Sequence, residues 1–324
     1  VQAERKNKKK AKFFCFSARL ALSSRPIMKK GAAFVATIGV FDGVHLGHRF
    51  LLNKVREAAD TRGMSALAVT FDPTPAEVWG READDSAYAA LLTLEERRER
   101  LLAAGMDRVE VLPFSREIAA WTASRFMRML HERFGVEVLV MGYDHRFGCE
   151  QRRDAAFYDQ AAEALGMEVV HATAYGHVSS TRIREALRLG DVATAGTLLG
   201  YPYALRGTVV PGDRRGRTLG FPTANLSIPP TRLVPASGVY AVRVELEGRT
   251  YAGMMNIGLC PTFGGRTTLR AEVHILDFNA DIYGQTLTVT FRERLRDECR
   301  FPSVEALVAQ LRRDAEACRR MSDG

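Results

Sequence analysis

Cysteine is scarce in this 324-residue chain and poorly placed for cross-linking. The five residues Cys15, Cys149, Cys260, Cys299 and Cys318 are odd in number, and none forms a Cys-x-x-Cys pair. That leaves no basis for a disulfide framework or a structural zinc site and suits a reducing, cytoplasmic setting. Long hydrophobic runs are lacking too. None reaches the roughly 18 residues that a membrane span needs, so no membrane partner is expected. The chain also lacks a body of one charge sign. Its formal net charge is +8, but residues 1–27 hold eight basic side chains and one acid, which leaves +1 for the remainder. The basic balance is therefore no argument for nucleic acid as a partner. Internal repeats are absent, and the basic start is the single biased segment.

That start contains Phe13-Phe14-Cys15-Phe16 and Ser23-Ser24 among its basic residues. A basic, serine-bearing, acid-poor stretch fits an organellar transit peptide. The simpler expectation is that Met28 is the working start and that the basic tail, residues 1–30, is a translated upstream stretch or disordered.

What is present is ample apolar material, 46% of the residues, and enough length for about two domains of roughly 100–200 residues each. Apolar runs at Phe34–Gly39, Ser65–Phe71, Arg108–Leu112, Val136–Met141 and Glu168–Ala172 read as strands. Segments of helical spacing separate them, at Leu46–Thr61, from a Thr93-Leu94-Glu95-Glu96 capping box to Ala104, at Thr122–Phe134 and at Asp154–Leu165. The alternation predicts a doubly wound, Rossmann-like α/β domain over 31–203. It ends with two helices, Ser179–Leu189 and Val192–Leu199, before Gly200-Tyr201-Pro202-Tyr203 breaks the pattern. From 204 to 324 short β-rich runs alternate with turns, at Arg206–Val210, Gly238–Leu246, Arg249–Ile257, Leu269–Ile275 and Thr286–Arg294. They predict a small antiparallel β-barrel, closed by an amphipathic helix from about Val304 to Arg319.

Two phosphate-handling motifs of unrelated design sit in these halves. In the first, Gly39-Val40-Phe41-Asp42-Gly43-Val44 leads from a strand into His45-Leu46-Gly47-His48, which enters a helix. A helix start offers unpaired N–H groups and a positive dipole end. Gly39, Gly43 and Gly47 let backbone approach a phosphate, and Phe41 lies among them. The imidazoles of His45 and His48 are placed to donate to charge building on an α-phosphate. Farther on, Ser180, Thr181 and Arg184 open another helix and suit the β- and γ-phosphates of a departing pyrophosphate.

These features resemble the nucleotidyltransferase superfamily. The strings Gly39–His45 and Gly142-Tyr143-Asp144-His145-Arg146-Phe147-Gly148 resemble the FAD synthetase module of bacterial bifunctional riboflavin kinase/FAD synthetases. The resemblance implies that Asp144 and Arg146 border the flavin or nucleotide cleft. Thr74, where the family often has His or Gln, and Arg153, where it often has Gly, depart from the pattern.

In the second half, Gly212-Asp213-Arg214-Arg215-Gly216-Arg217-Thr218 has the look of a Walker loop. It is one residue short, has Arg in place of Lys, and has no expected helix behind it. Gly220-Phe221-Pro222-Thr223-Ala224-Asn225 follows, within β structure. Gly212, Gly216 and Gly220 can cradle phosphates through backbone N–H groups. Thr223 and Asn225 offer hard oxygen atoms suited to Mg²⁺. Glu272 faces opposite to Val273 and Ile275 on its strand and is a sensible acceptor for a hydroxyl proton, though spacing alone does not distinguish it from a solvated glutamate.

Residues 204–320 resemble the riboflavin kinase family. The likeness rests on Gly220–Asn225, Gly238-Val239-Tyr240, Asn256-Ile257-Gly258, Pro261-Thr262-Phe263, Glu272-Val273-His274, Tyr283-Gly284 and Leu295-Arg296-Asp297-Glu298. It implies that Thr223 and Asn225 hold Mg²⁺, that Glu272 is the catalytic base, and that Arg296 and Phe301 lie by the flavin. Cys260, where Arg is frequent, departs from it. The two resemblances together imply ATP-dependent phosphorylation of riboflavin to FMN, then adenylylation of FMN to FAD with release of pyrophosphate. The expected chain works on small molecules as a monomer or weak homo-oligomer. Two other readings stay open on sequence: a nucleotidyltransferase with another substrate, and a flavin-binding protein without turnover.

Overall fold

The structure is a computed structural model, and it describes residues 33–79, 89–151, 154–212, 215–261 and 267–322. The expected tail, and the positions Arg153, Asp213, Arg214, Thr262 and Phe263, lie outside the described residues.

The first layer runs β1 (Phe34–Ile38), α1 (Leu46–Arg62), β2 (Ser65–Phe71), α2 (Pro75–Val78), α3 (Leu94–Ala103), β3 (Arg108–Leu112), α4 (Arg116–Ala119), α5 (Ala123–Phe134), β4 (Val136–Met141), α6 (Ala155–Glu163) and β5 (Glu168–His171). The strands form one sheet in the order β3-β2-β1-β4-β5, and every pairing is parallel. Helices cover both faces, so β1 is buried along its whole length, as its run Phe-Val-Ala-Thr-Ile requires. The N-terminal end of α3 behaves as its sequence dictates. Thr93 Oγ1 accepts from the Glu96 N–H at 3.2 Å, and Glu96 accepts from the Thr93 N–H at 2.8 Å. Such a cap contributes about 1 kcal/mol. On α5 the stripe Phe126, Leu130, Phe134 is buried against the sheet.

This strand order has its switch point between β1 and β4, because the chain leaves β1 toward β2 and returns to β4 on the other side. Ligands of such sheets bind at the carboxyl ends of the strands flanking that point. The two segments emerging there are residues 39–45 and 142–148.

After β5 come α7 (Ser180–Arg188), α8 (Val192–Leu199), β6 (Ala204–Val210), α9 (Arg215–Thr218), β7 (Ala224–Ser227), β8 (Gly238–Leu246), β9 (Arg249–Pro261), β10 (Thr267–Ile275), β11 (Thr286–Arg296) and α10 (Val304–Ser322). The six strands close into an antiparallel barrel in the order β10-β7-β6-β11-β8-β9. Two of these elements go beyond the sequence reading. A single helical turn, α9, occupies the Walker-like segment where no helix is expected. The strand β7 grows directly out of the Pro222-Thr223 turn and completes the closure. Helix α10 lies over the barrel wall, burying Ala315 and Cys318 against Ala241, Met254 and Leu276.

The core does not divide at Tyr203. Ile183, Leu187, Ala195 and Leu199, on α7 and α8, belong to the same buried cluster as Tyr203, Leu205, Tyr240 and Phe291 of the barrel. Leu91, from the segment just before α3, joins it.

Candidate active sites

The loop from β1 to α1 carries His45 at the helix N-cap. Its Nδ1 accepts the His48 backbone N–H at 3.3 Å, which leaves the proton of an uncharged ring on Nε2. The His45 and His48 rings stack with centroids 3.7 Å apart and planes 14° apart. Gly47 makes that possible, since a Cβ there would lie only 3.2 Å from the His45 ring. Phe41 meets His48 edge-on. Burial lowers the His45 pKa to about 4, and the Arg184 cation pushes the same way. Burial also holds His48 well below the usual imidazole value, with His45 adding to it. Both rings are therefore uncharged near neutral pH and can act as N–H donors without carrying a proton to spare. Among the described residues, His48 Nδ1 is enclosed and has no hydrogen-bond partner.

The loop is strained and heavily fastened. Phe41 and Val44 take left-handed φ values of 52° and 35°, which side chains rarely adopt. The Val40 carbonyl accepts from Arg97 and from the Thr70 hydroxyl, both at 3.1 Å. The buried Asp42 carboxylate accepts the Leu91 N–H at 3.0 Å, the Leu92 N–H at 3.2 Å and the Arg184 guanidinium at 2.5 Å. Ser180 donates to the Asp42 carbonyl at 2.8 Å, and Tyr201 to the Gly43 carbonyl at 2.5 Å. Ser180 and Arg184, expected at the phosphates, are thus occupied with the loop itself, whereas Thr181 is exposed at the start of α7. Asp42, Arg97 and Tyr201 carry no role in the sequence reading. Asp42 stands inside the quoted motif, but its partner Arg184 is 142 residues away and no spacing rule links them.

At the end of β4 the expected flavin residues sit on the neighbouring loop. Asp144 and Arg146 are exposed, and Arg146 donates to the carbonyl of His145 at 2.7 Å. The loop is anchored by Tyr158, whose hydroxyl donates to the Phe147 carbonyl at 2.7 Å and accepts its N–H at 2.9 Å. It reaches α1, where a Cβ at Gly142 would touch Leu51 at 3.5 Å. His145 is half-buried beside it with its ring Nδ1 enclosed, and desolvation lowers its pKa to about 4.

In the barrel, strand register brings the second set together. Glu272 pairs with Asn225 on one side and Asn256 on the other, so the three side chains lie in a row across β7, β10 and β9. Glu272 is 3.3 Å from Arg270. A cavity of about 350 Å³ is lined by Thr223, Asn256, Glu272, Arg296, Glu298 and Phe301, with Gly216 at its edge. Arg296 is fastened to buried Asp314 of α10 at 2.9 Å and lies 5.6 Å from the Phe301 ring. Asn256 donates to Glu298 at 3.2 Å. Both belong to strings that carry the riboflavin kinase likeness, yet neither has a role in the sequence reading. Gly212 runs against Asn225 so closely that a Cβ would fall 2.0 Å from its amide nitrogen, and a Cβ at Gly216 would fall 2.2 Å from the Phe221 carbonyl. Gly220 turns with φ 78° and open space around it. Thr223 and Asn225 each carry a hard oxygen of the kind Mg²⁺ takes.

Two family models match the chain, one described as FAD synthetase over residues 28–186 and one as riboflavin kinase over residues 199–322. The bifunctional riboflavin kinase/FMN adenylyltransferase of Pseudomonas fluorescens is 39% identical over 293 residues, spanning 89% of this chain and 93% of the relative. Its counterpart in Escherichia coli K12 is 40% identical over 287 residues, spanning 86% and 90%. That of Listeria monocytogenes is 36% identical, spanning 88% and 91%. A crystal structure of a protein described as a macrolide-efflux protein from Streptococcus pneumoniae is similar with TM-score 0.81 and 36% identity, covering 90% of this chain and 95% of that one. Among the described residues here, no helix is long and apolar enough to cross a membrane.

Proposed function

The chain belongs to the bifunctional riboflavin kinase/FMN adenylyltransferase family, and from that premise we infer how its residues divide the two reactions. ATP phosphorylates riboflavin to FMN in the barrel half. FMN is then adenylylated to FAD, with release of pyrophosphate, in the α/β half.

In the barrel, Glu272 takes the proton of the ribityl hydroxyl as that oxygen attacks the γ-phosphorus of ATP, breaking its bond to the β-phosphate oxygen and releasing ADP. Its place in the row with Asn225 and Asn256 supports this role. Arg296 and Phe301 border the flavin in the same cavity, and the backbone N–H groups around Gly212, Gly216 and Gly220 receive phosphate oxygens. Thr223 and Asn225 would hold Mg²⁺, which supplies positive charge to the phosphates when bound.

In the α/β half, the FMN phosphate attacks the α-phosphorus of ATP, and no covalent enzyme intermediate is needed. His45 and His48 donate N–H groups to the non-bridging oxygens on that phosphorus, and loss of one such donor costs about 100- to 1000-fold. Gly39, Phe41, Gly43 and Gly47 shape the nucleotide bed. Arg184 and Ser180 serve by holding the loop, and Thr181 stands free for the leaving group. Asp144 and Arg146 lie at the flavin side. The single observation that carries the assignment is the stacked, uncharged His45–His48 pair at the head of α1.

The test uses purified protein with riboflavin, ATP and Mg²⁺, followed by chromatography. FMN appears first and FAD second. The His48→Ala variant stops at FMN. The Glu272→Ala variant makes no FMN but converts added FMN to FAD. Loss of both activities in both folded variants refutes the division of labour.

A further inference from the structure

The adenylyl-transfer loop is held in a conformation that its own residues disfavour, so what holds it matters. Asp42 is gripped by the N–H groups of Leu91 and Leu92 at 3.0 and 3.2 Å. Those residues belong to a short strap, 89–92, that runs between the two halves. Arg184 fastens the strap once more, from its Nε to the Ala89 carbonyl at 2.9 Å. The opposite edge of the strap is sewn to the barrel. The Ala90 N–H donates to the Thr231 carbonyl at 2.8 Å, and the Leu233 N–H donates to the Ala90 carbonyl at 2.9 Å.

Arg232 sits between those two bonds with its side chain 1% exposed. One arm of the guanidinium donates to the Ala90 carbonyl at 3.2 Å. The other donates to the Ala204 carbonyl, in β6, at 2.9 Å and lies 3.4 Å from Glu96 at the head of α3. Only a planar fork reaches three acceptors on three elements at once. Continuous contact therefore runs from Arg232 through Ala90 and Leu91 to Asp42, and from Asp42 along the loop to His45.

We propose that Arg232, a residue of the kinase barrel, is a positioning residue for adenylyl transfer, holding the 89–92 strap so that Asp42 keeps His45 and His48 in register. The inference rests on the assignment of adenylyl transfer to that histidine pair. It makes the barrel a structural part of the other half's site, beyond its own kinase reaction.

The full-length chain is assayed for the two steps separately, FMN formation from riboflavin and FAD formation from added FMN. With Arg232→Ala, kcat for FAD formation falls about 10- to 100-fold, the size expected when catalytic groups shift by about 1 Å. KM for FMN and for ATP stays within about threefold, and kcat for FMN formation within about twofold. Arg232→Lys keeps the charge by Glu96 but cannot span both carbonyls, so it recovers part of the loss. Should Arg232→Ala fail to fold, Tyr201→Phe decides together with Arg232→Lys. It removes only the hydroxyl on the Gly43 carbonyl, and it lowers FAD formation about 3- to 10-fold with FMN formation intact. A kcat for FAD formation within twofold of the unaltered chain, or an equal fall in both activities, overturns the proposal. An unaltered chain that makes no FAD from FMN refutes instead the assignment beneath it.

Discussion

Gly212→Ala is a steric test of the kinase site that removes no functional group. Gly212 does not require a left-handed φ, so alanine suits its backbone. The added methyl would fall 2.0 Å from the Asn225 amide nitrogen, where ordinary contact begins at 3.4 Å. The amide is the far end of a side chain, so it yields, and it must move by about 1.4 Å, the gap between those two distances. If Asn225 holds Mg²⁺, moving its amide would displace the oxygen that would ligate the ion, and Mg²⁺ is exacting about the placing of its ligands. Misplacement of about 1 Å typically costs 100-fold in rate. The fold itself changes little, because a glycine-to-alanine change at a compatible site stabilises by about 0.4–1 kcal/mol through the unfolded chain, which offsets part of the local crowding. The assay is FMN formation across a Mg²⁺ titration, with FAD formation from added FMN as an internal control. The expected result is a 10- to 100-fold loss in the first, a rise in the Mg²⁺ needed, and no change in the second. Unaltered FMN formation and Mg²⁺ dependence would refute both the steric reasoning and the role given to Asn225.

Asp42→Asn strips Arg184 of its buried partner. With both side chains 10–13% exposed, the cost is near the low end of the range for breaking a buried pair, about 3 kcal/mol, read by chemical denaturation, and FAD formation fails well before FMN formation. Stability depends on pH through the buried histidines. His45 and His145 fall from the ordinary 6.5 to about 4 on folding, so the unfolded chain binds more protons between those values. Their contribution is complete above about 6.5 and is lost as pH falls toward 4, at no more than about 1.4 kcal/mol per pH unit for each proton. Denaturation at stepped pH checks this, and a His145→Asn variant has the shallower slope. Chelation of divalent metal stops FMN formation in the unaltered chain, and Asn225→Ala raises the Mg²⁺ concentration that restores it. An Asn225→Ala titration matching that of the unaltered chain rejects the ligand assignment.

The layers of the fold are legible because burial demands apolar runs of definite period. The run Phe34–Ile38 has no other reading than a strand covered on both faces, and Thr93–Glu96 announces α3 by chemistry alone. The barrel's β-rich texture is equally plain. The strand β7 is not, since Pro222 and Asn225 carry turn signals and only pairing with β6 and β10 makes those four residues a strand. The turn α9 is too short to show a helical period. In the α/β half, His45 and His48 are visible as a motif, whereas the fastenings of their loop are not. Asp42–Arg184 and Ala90–Arg232 each join residues 142 positions apart, and local pattern contains no record of such meetings. Arg184 illustrates the point: a cation opening a helix near phosphates reads as a phosphate ligand, and nothing in its spacing announces the carboxylate of Asp42 against it.

Helices α7 and α8 have a consequence for anyone who would exchange parts between relatives. They precede the barrel in sequence, yet Ile183, Leu187 and Leu199 are buried in one cluster with barrel residues such as Leu205, Tyr240 and Phe291. A chimera spliced at Tyr203 would set foreign helices against a packing surface shaped by a different lineage. Splicing before Ser180 carries that packing across intact, but it parts Asp42 from its native Arg184. No single seam spares both, so the two catalysts are inherited as one piece of architecture, and compensating changes must arise on both sides of any join.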